Sequence, residues 1–163
     1  MSITKIYLCE ILRYEKQSGK FFWAKPRPRI TVGSKAGYVK KNKGYRYIEI
    51  DGITYAAHRL AWFYVYGVWP RNQIDHVNGK RDDNRIENLR EATQGQNRAN
   101  SKHNNKTGFK GVSFKAWLKE KPYQAQITVN KKVIYLGCYK TPQEANEAYK
   151  IAAIKLHGEF AKP

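Results

Sequence analysis

Residues 73–100 read QIDHVNGKRDDNRIENLREATQGQNRAN, and this stretch decides the fold in the middle of the chain. A short apolar approach ends in Asp75 and His76, and a long polar loop follows. Thr93 and Gln96 have the spacing of a capping box, which predicts that a helix begins at Thr93. The stretch therefore predicts a strand, a long loop, a second strand and a helix.

The same stretch carries the polar groups that phosphodiester hydrolysis requires. That reaction needs a base to deprotonate water and a cation to stabilise the charge on phosphorus and the departing oxygen. His76 suits the base, while Asp75 and the amide of Asn97, in the second turn of the predicted helix, suit Mg²⁺. Asn100 lies on the same helical face and is the alternative ligand. Neighbouring strand residues point to opposite faces, so Asp75 and His76 share a site only at an irregular strand end.

The charge of the chain favours a polyanionic partner. Among 163 residues, Lys and Arg number 31 against 13 Asp and Glu, a net charge of +18. Residues 1–50 carry 12 basic against 3 acidic side chains, residues 106–163 carry 11 against 4, and the middle is nearly balanced. No apolar run of about twenty residues and no signal-peptide pattern accompanies this charge, so we expect nucleic acid and an intracellular location, not a membrane. The two cysteines form no zinc-binding pair.

Short strands are predicted over residues 21–57. Arg46, Ile48 and Ile50 alternate onto one face, and Asp51-Gly52 then predicts a hairpin. A buried helix is predicted from His58 to Tyr66, ended by the glycine that follows. Its inward face would comprise Leu60, Ala61, Tyr64 and Val65. His58 is expected to be structural, although a position near the metal site stays open.

A second module is predicted after a polar segment, 98–107, which has the composition of a linker. We expect domains over 1–105 and 106–163. Strands are predicted over 110–115, 123–129 and 133–138, with a turn at 130–132. The final helix would begin with the capping residues Thr141, Pro142 and Glu144 and end at Gly158. Its inward face would comprise Ala145, Ala148, Ala152 and Leu156, with Tyr149 beside them.

The sheet face turned away from that helix is predicted to contact DNA, since a basic sheet face of this width can enter a major groove. Alternation along the three strands assigns to this face Ser113, Lys115, Trp117, Gln124, Gln126, Thr128, Val133 and Tyr135.

The residues up to about 100 resemble the HNH (ββα-metal) nucleases, particularly phage and intron homing endonucleases whose motif begins Asp-His. The resemblance is carried by HRLAW at 58–62, GVWP at 67–70 and DNRIENLREAT at 83–93, around a ββα core at about 73–102. It implies that His76 is the general base, that Asn88 holds the loop, and that Asp75 and Asn97 bind Mg²⁺ or Mn²⁺. It also implies products with 5′-phosphate and 3′-hydroxyl ends.

The last third of the chain resembles the AP2 domain of plant transcription factors and phage homing endonucleases. GFKGVSFK at 108–115 and the stretch from 135 to 158 carry this resemblance. It implies DNA contacts from the sheet and adds Lys110 to the contact residues. Ser113 and Val133 replace the arginines of that family, and Tyr135 replaces a tryptophan, which implies a target other than that of the plant factors.

Together these patterns predict an α+β chain. A small N-terminal β-rich segment and the HNH core are followed by a three-stranded antiparallel sheet packed on one helix. The predicted function is a site-preferring, metal-dependent endonuclease of double-stranded DNA, of phage or intron type and located in the host cytoplasm if phage-encoded, with no small-molecule cofactor. A monomer would nick and a homodimer would cut both strands; the sequence leaves both open. The alternatives are a non-catalytic transcription regulator on the same scaffold and an RNA-binding protein, for which no RNP-type motif is present.

Overall fold

A computed structural model of the chain describes residues 3–101 and 105–162. The chain forms two compact units, Met1–Glu91 and Ala92–Pro163. The predicted domains, 1–105 and 106–163, divide the chain at a different point and stay a prediction. Residues 102–104 of the predicted linker lie outside the described residues. Among the residues that are described, no helix combines the length and the apolar character needed to cross a membrane.

The first unit is built from small antiparallel sheets and two helices. In chain order its elements are α1 (Lys5–Ile11), β1 (Leu12–Glu15), β2 (Lys20–Trp23), β3 (Tyr38–Val39), β4 (Arg46–Ile50), β5 (Ile53–Ala56), α2 (Ala57–Tyr66), β6 (Gln73–His76), a 3₁₀ turn (Ile86–Asn88) and β7 (Leu89–Ala92). β1 pairs with β2, β4 lies between β3 and β5, and β6 pairs with β7. The last residue of β7 belongs to the second unit.

One apolar core holds the first unit together. Its fully buried side chains include Leu8, Leu12, Phe21, Ile48 and Leu60, which come from α1, both hairpins and α2. Burying side chains of this size stabilises a fold by about 1.5 to 3 kcal/mol each, as an upper estimate. The core therefore ties the N-terminal hairpins to α2.

The structure confirms most of the local predictions for this unit. Ile50 pairs with Ile53 around the Asp51-Gly52 turn, and Arg46, Ile48 and Ile50 share the buried face of β4. Helix α2 ends at Gly67, as expected. Its predicted inward face was partly wrong, because Phe63 is buried while Tyr64 and Val65 are only partly so.

Helix α1 was not predicted. Thr4 caps it, since the threonine hydroxyl accepts a hydrogen bond from the Tyr7 backbone N–H at 3.2 Å. With seven residues the helix is too short to be stable alone, and Leu8 and Ile11 in the core hold it in place. Tertiary packing, which a local pattern does not reveal, therefore produces this element.

The second unit consists of a sheet and two helices. Its elements are α3 (Gln94–Asn100), β8 (Val112–Phe114), β9 (Tyr123–Val129), β10 (Lys132–Tyr139), α4 (Pro142–His157) and a 3₁₀ turn (Gly158–Phe160). The sheet is antiparallel with β9 in the centre, and α4 packs on one face of it. This is the predicted arrangement of three strands and one helix.

Helix α4 buries part of the face predicted for it. Ala145 and Tyr149 are buried as expected and Ala152 packs against the core, whereas Leu156 is 39% exposed and Ala153 is buried instead. The predicted face is therefore wrong at Leu156 and omits Ala153. The N-cap at Thr141 is confirmed; the Glu144 carboxylate, however, accepts from the Lys140 backbone N–H instead of closing the capping box.

The first strand of the sheet is shorter than predicted, so Lys115 and Trp117 are not strand residues. They lie in the turn after β8, where the Leu118 N–H donates to the Lys115 carbonyl oxygen at 3.0 Å. The tight turn before β10 comprises Asn130 and Lys131 only, because Lys132 already pairs with Val129.

Candidate functional site

His76 is the last residue of β6, at the point where the strand turns into the loop. The Gly79 N–H donates to the His76 carbonyl oxygen at 2.8 Å, so regular strand geometry ends here. β6 therefore ends irregularly at His76. An irregular strand end is the condition under which Asp75 and His76 could share one site. Both His76 and Asp75 are 4% exposed.

The imidazole of His76 contacts the side chain of Asn84. Its Nε2 lies 3.2 Å from the Asn84 Oδ1. The amide oxygen only accepts hydrogen bonds, so this contact fits the tautomer protonated on Nε2. In that tautomer the lone pair of the neutral ring lies on Nδ1.

Burial keeps His76 uncharged. It lowers the pKa of the imidazole below its ordinary value, and the hydrogen bond with Asn84 and the charge of Asp75 oppose this shift without reversing it. A neutral imidazole near neutral pH is the protonation state that a general base requires.

Asp75 forms a salt bridge across the β6–β7 pair. The Arg90 Nε and a terminal guanidinium nitrogen each lie 2.9 Å from the Asp75 Oδ2. Since both side chains are largely buried, the guanidinium compensates much of the cost of removing the carboxylate from water. The salt bridge thus fixes the orientation of the Asp75 carboxylate, whose oxygens are of the kind that ligate hard metal ions.

Asn88 ties the two ends of the loop together. Its Oδ1 accepts from the Asn78 backbone N–H at 3.0 Å, and its Nδ2 donates to the Asp83 carbonyl oxygen at 2.8 Å. Its own carbonyl accepts from the Val77 N–H at 2.9 Å. These contacts are those expected of a residue that holds the loop.

His58, expected from the sequence to be structural, lies beside His76. The two rings meet edge to face with centroids 5.3 Å apart, and Tyr45 contacts both. Burial, with smaller effects from His76 and Arg59, lowers the pKa of His58 to about 3, so this ring is neutral. Its Nδ1 is buried and has no hydrogen-bond partner among the residues that the structure describes.

Asn97 lies in α3, which belongs to the second unit. The predicted capping box is confirmed: the Thr93 hydroxyl accepts from the Gln96 N–H, and the Gln96 side chain accepts from the Thr93 N–H. Asn100, the alternative ligand, is buried. Joint metal ligation by Asp75 and Asn97 stays a prediction. Over residues 3–101 and 105–162, no three His, Cys, Asp or Glu side chains group as a metal site.

The strand register brings most of the predicted DNA-contact residues onto one face of the sheet. Gln124 pairs with Ser113, Gln126 with Tyr135, and Thr128 with Val133. This is the face opposite α4, because the alternate residues of β9, Ala125 and Ile127, are buried. The DNA contacts themselves stay a prediction.

Three of these residues have local surroundings that the sequence did not indicate. The Lys110 ammonium donates to the carbonyl oxygens of Ala99 and Ser101, at the end of α3. The Ser113 hydroxyl is buried without a partner. Trp117 is 73% exposed, with the Lys115 ammonium 5.3 Å from its ring centroid.

Sequence reasoning did not single out Asn84, Arg90 and Tyr45 as contacts of His76 and Asp75, while it left open a position of His58 near the metal site. A buried carboxylate needs a counter-ion, so the arginine on the paired strand could have been named from the sequence. Nothing in the loop sequence indicated that Asn84, among several polar neighbours, would contact His76.

Comparisons with known proteins identify the middle of the chain. Residues 55–99 match the model of an HNH endonuclease family. A protein of Acanthamoeba polyphaga mimivirus, described as an uncharacterized HNH endonuclease, is 33% identical over 91 residues, which cover 55% of this chain. The alignment covers 46% of that relative, so the chain spans about half its length. No solved structure matches the chain significantly. Residues 55–99 of this chain are therefore similar to an HNH endonuclease family domain.

Proposed function

We propose that the chain is a metal-dependent endonuclease that prefers particular sites in double-stranded DNA. The observation that carries this proposal is the pair Asp75 and His76 within the HNH-matched segment: a buried carboxylate beside a buried, neutral imidazole. The net charge of +18 supports a nucleic acid substrate.

In the proposed reaction, His76 is the general base. Its Nδ1 takes the proton from a water molecule, and the oxygen of that water attacks the scissile phosphorus. Because burial keeps the ring neutral, the base is ready near neutral pH. The bond to the departing 3′ oxygen breaks, and this oxygen takes up a proton from solvent water, which leaves a 5′-phosphate and a 3′-hydroxyl.

The residues of the site fit a hard divalent cation. Asp75 offers carboxylate oxygen and Asn97 an amide oxygen, and these are the donors that Mg²⁺ prefers; Mn²⁺ accepts the same set. When bound, the ion would neutralise charge that develops on the phosphate and on the departing oxygen. Arg90 would keep the Asp75 carboxylate fixed in orientation.

The second unit is proposed to position the DNA, as an AP2-like domain. This proposal is supported by one face of the β8–β10 sheet. The strand register places amide, hydroxyl and aromatic side chains together on that face. Gln126 and Tyr135, paired across β9 and β10, are the proposed base-reading residues at its centre. An HNH domain joined to such a module is typical of mobile enzymes, so we infer a homing endonuclease of phage or intron origin.

Cleavage of a supercoiled plasmid library carrying candidate target sites tests the proposed function. We expect nicking or linearisation with Mg²⁺ and none with EDTA. His76→Ala should lower the rate by at least about 100-fold, the scale of general-base catalysis. Asp75→Asn should raise the Mg²⁺ concentration needed for half-maximal rate.

His157→Ala is the matched control, because His157 lies in α4, away from the HNH domain in sequence. It should cleave like the wild type. DNA binding without metal-dependent cleavage on any substrate would refute the endonuclease and favour the transcription regulator.

A further inference from the structure

We propose that the sheet face opposite α4 reads a run of A·T base pairs in the major groove of DNA. The inference rests on the proposed function, because it concerns the DNA that the second unit would position. It goes beyond that function by naming the base pairs of the target. Alternate residues of β8, β9 and β10 form this face, and all of them belong to the second unit.

The strand residues on this face are all uncharged. They are Ser113, Gln124, Gln126, Thr128, Val133, Tyr135 and Cys138. The central ones are exposed, and the side chains of Gln126 and Thr128 make no hydrogen bond within residues 3–101 and 105–162. Their amide and hydroxyl groups are therefore available to a partner.

Two cross-strand pairs at the centre of the face each combine a hydrogen-bonding group with an apolar one. Gln126 lies opposite Tyr135, and Thr128 lies opposite Val133. Tyr135 is 59% exposed and Val133 is 61% exposed. The Tyr135 hydroxyl donates to the Cys138 Sγ at 3.1 Å, so the ring offers mainly carbon atoms to a partner.

An A·T base pair presents the same combination of groups in the major groove. Adenine offers its N7 acceptor and N6 amino group, which the amide of a residue such as Gln126 binds with two hydrogen bonds. The paired thymine offers a C5 methyl group, which an apolar side chain contacts. A G·C pair lacks this methyl group, and its guanine is most often bound by Arg or Lys, which the strands of this face do not carry. The face therefore fits A·T pairs.

The charges around the face match the phosphates that border the groove. Lys115 lies in the turn after β8 and Lys131 in the turn between β9 and β10, at the ends of the strands. The acidic residues Glu144 and Glu147 lie on α4, on the other side of the sheet. Basic groups at the margins position a duplex, and the uncharged centre is left to read base edges.

The length of β9 sets the length of the site. Alternate residues on a strand lie about 6.6 Å apart, and successive base pairs rise by about 3.4 Å. When β9 follows the groove, the distance from Gln124 to Thr128 spans about four base pairs. The groove is wide enough for a two-stranded ribbon such as β9–β10. We expect a run of about four or five A·T pairs.

Selection from duplexes with a fully randomised window, followed by sequencing, tests the inference. The full-length chain carries His76→Ala and is kept in EDTA, so cleavage plays no part. We expect the bound duplexes to be enriched in a run of A·T pairs. Fluorescence anisotropy at one salt concentration should then show binding at least about 10-fold tighter than to the same duplex with G·C pairs in the run. Equal affinity, or a preference for G·C pairs, would overturn the inference.

Base analogues in the selected duplex test the two groups of an A·T pair separately. Uracil in place of thymine removes only the C5 methyl group and should weaken binding about 4-fold for each methyl group contacted. In 7-deazaadenine the N7 acceptor is lost, which should weaken binding about 5-fold or more. The same replacements in the flanks should have no effect. Unchanged affinity with both analogues in the run would contradict direct reading of the bases.

Two variants assign these contacts to the sheet face. Val133→Ala should reduce the difference between thymine and uracil, and Gln126→Ala the difference between adenine and 7-deazaadenine. Ile154→Ala and Gln143→Ala are the matched controls, because both side chains are exposed on α4. Circular dichroism checks that all four variants fold. If Val133→Ala and Gln126→Ala discriminate like their controls, this face does not read the A·T pairs.

Failure of this inference is distinguishable from failure of the proposed function. Duplex binding without a preference for A·T pairs would overturn the inference and leave the endonuclease unaffected. A wild type that never cleaves would refute the endonuclease, and the binding measurements would still decide whether the face reads A·T pairs. Absence of binding to every duplex would overturn both the inference and the proposed role of the second unit.

Discussion

Arg90 forms a salt bridge with the buried carboxylate of Asp75. Removing one member of a buried ion pair is strongly destabilising, so Arg90→Met should lower the free energy of unfolding by about 3 kcal/mol. Urea denaturation in EDTA measures this loss. The matched control is Lys25→Met, whose salt bridge with Glu10 is half exposed on both sides and should contribute at most about 1 kcal/mol. Equal losses in the two variants would contradict this account of Arg90.

Asp83 makes the first unit less stable as the pH falls into the acidic range. Its hydrogen bond with Arg85, the largest cause, lowers the pKa of Asp83 from 3.8 to about 2. Because the folded value lies below the unfolded one, the carboxylate stabilises the fold above pH 3.8, and this contribution is lost as the pH falls toward 2. Asp83→Asn should therefore flatten the fall in unfolding free energy across that window. A slope identical to that of the wild type would rule out this role.

At the scale of elements, two glycines in the turn before β8 allow a test of how tightly α4 packs on the sheet. Gly108 and Gly111 both have positive φ, 73° and 70°. A Cβ at Gly108 would meet open space, whereas one at Gly111 would overlap the Tyr149 ring. We expect Gly108→Ala to cost about 1 kcal/mol of stability and Gly111→Ala about 3 kcal/mol. Thermal and urea unfolding compare the two, and similar costs would show that Tyr149 adapts easily.

Helix α4 also shows what a local pattern leaves undetermined. Its boundaries follow from Thr141 and Gly158, because caps and helix stops are local chemistry. Its buried face follows only in part: Ala145 and Tyr149 are buried as predicted, but the burial of Ala153 instead of Leu156 depends on the surface against which the helix packs.

We expect Ala153→Leu to destabilise the protein by about 1 to 3 kcal/mol through overpacking. Leu156→Ser should change stability by at most about 0.5 kcal/mol. The reverse order would restore the face predicted from the sequence.

At the scale of the whole molecule, motif spacing indicated the candidate site residues but not the residues that contact them. His76 and Asn88 are named from that spacing, and their roles stay predictions. The contacts around them do not follow, since Tyr14 on β1 and Asn84 in the loop after β6 meet across seventy residues of sequence. Contacts at that separation depend on how the β1–β2 hairpin packs against the loop, and no local pattern encodes this.

The net positive charge of the molecule leads to a prediction about how its affinity for DNA depends on salt concentration. If the sheet face of the second unit meets DNA, the logarithm of affinity should fall linearly with the logarithm of salt concentration, by about 0.9 per phosphate contact. Lys115→Gln should reduce that slope by about one contact and weaken all sequences alike. Gln126→Ala should keep the slope and reduce discrimination between sequences by about 1 to 3 kcal/mol.

Fluorescence anisotropy in EDTA, on protein carrying His76→Ala to prevent cleavage, measures both effects. Lys150→Gln makes the same charge change on α4, beside Glu147, and serves as the control. Equal slopes for Lys115→Gln and Lys150→Gln, with unchanged discrimination in Gln126→Ala, would show that this face does not bind the DNA.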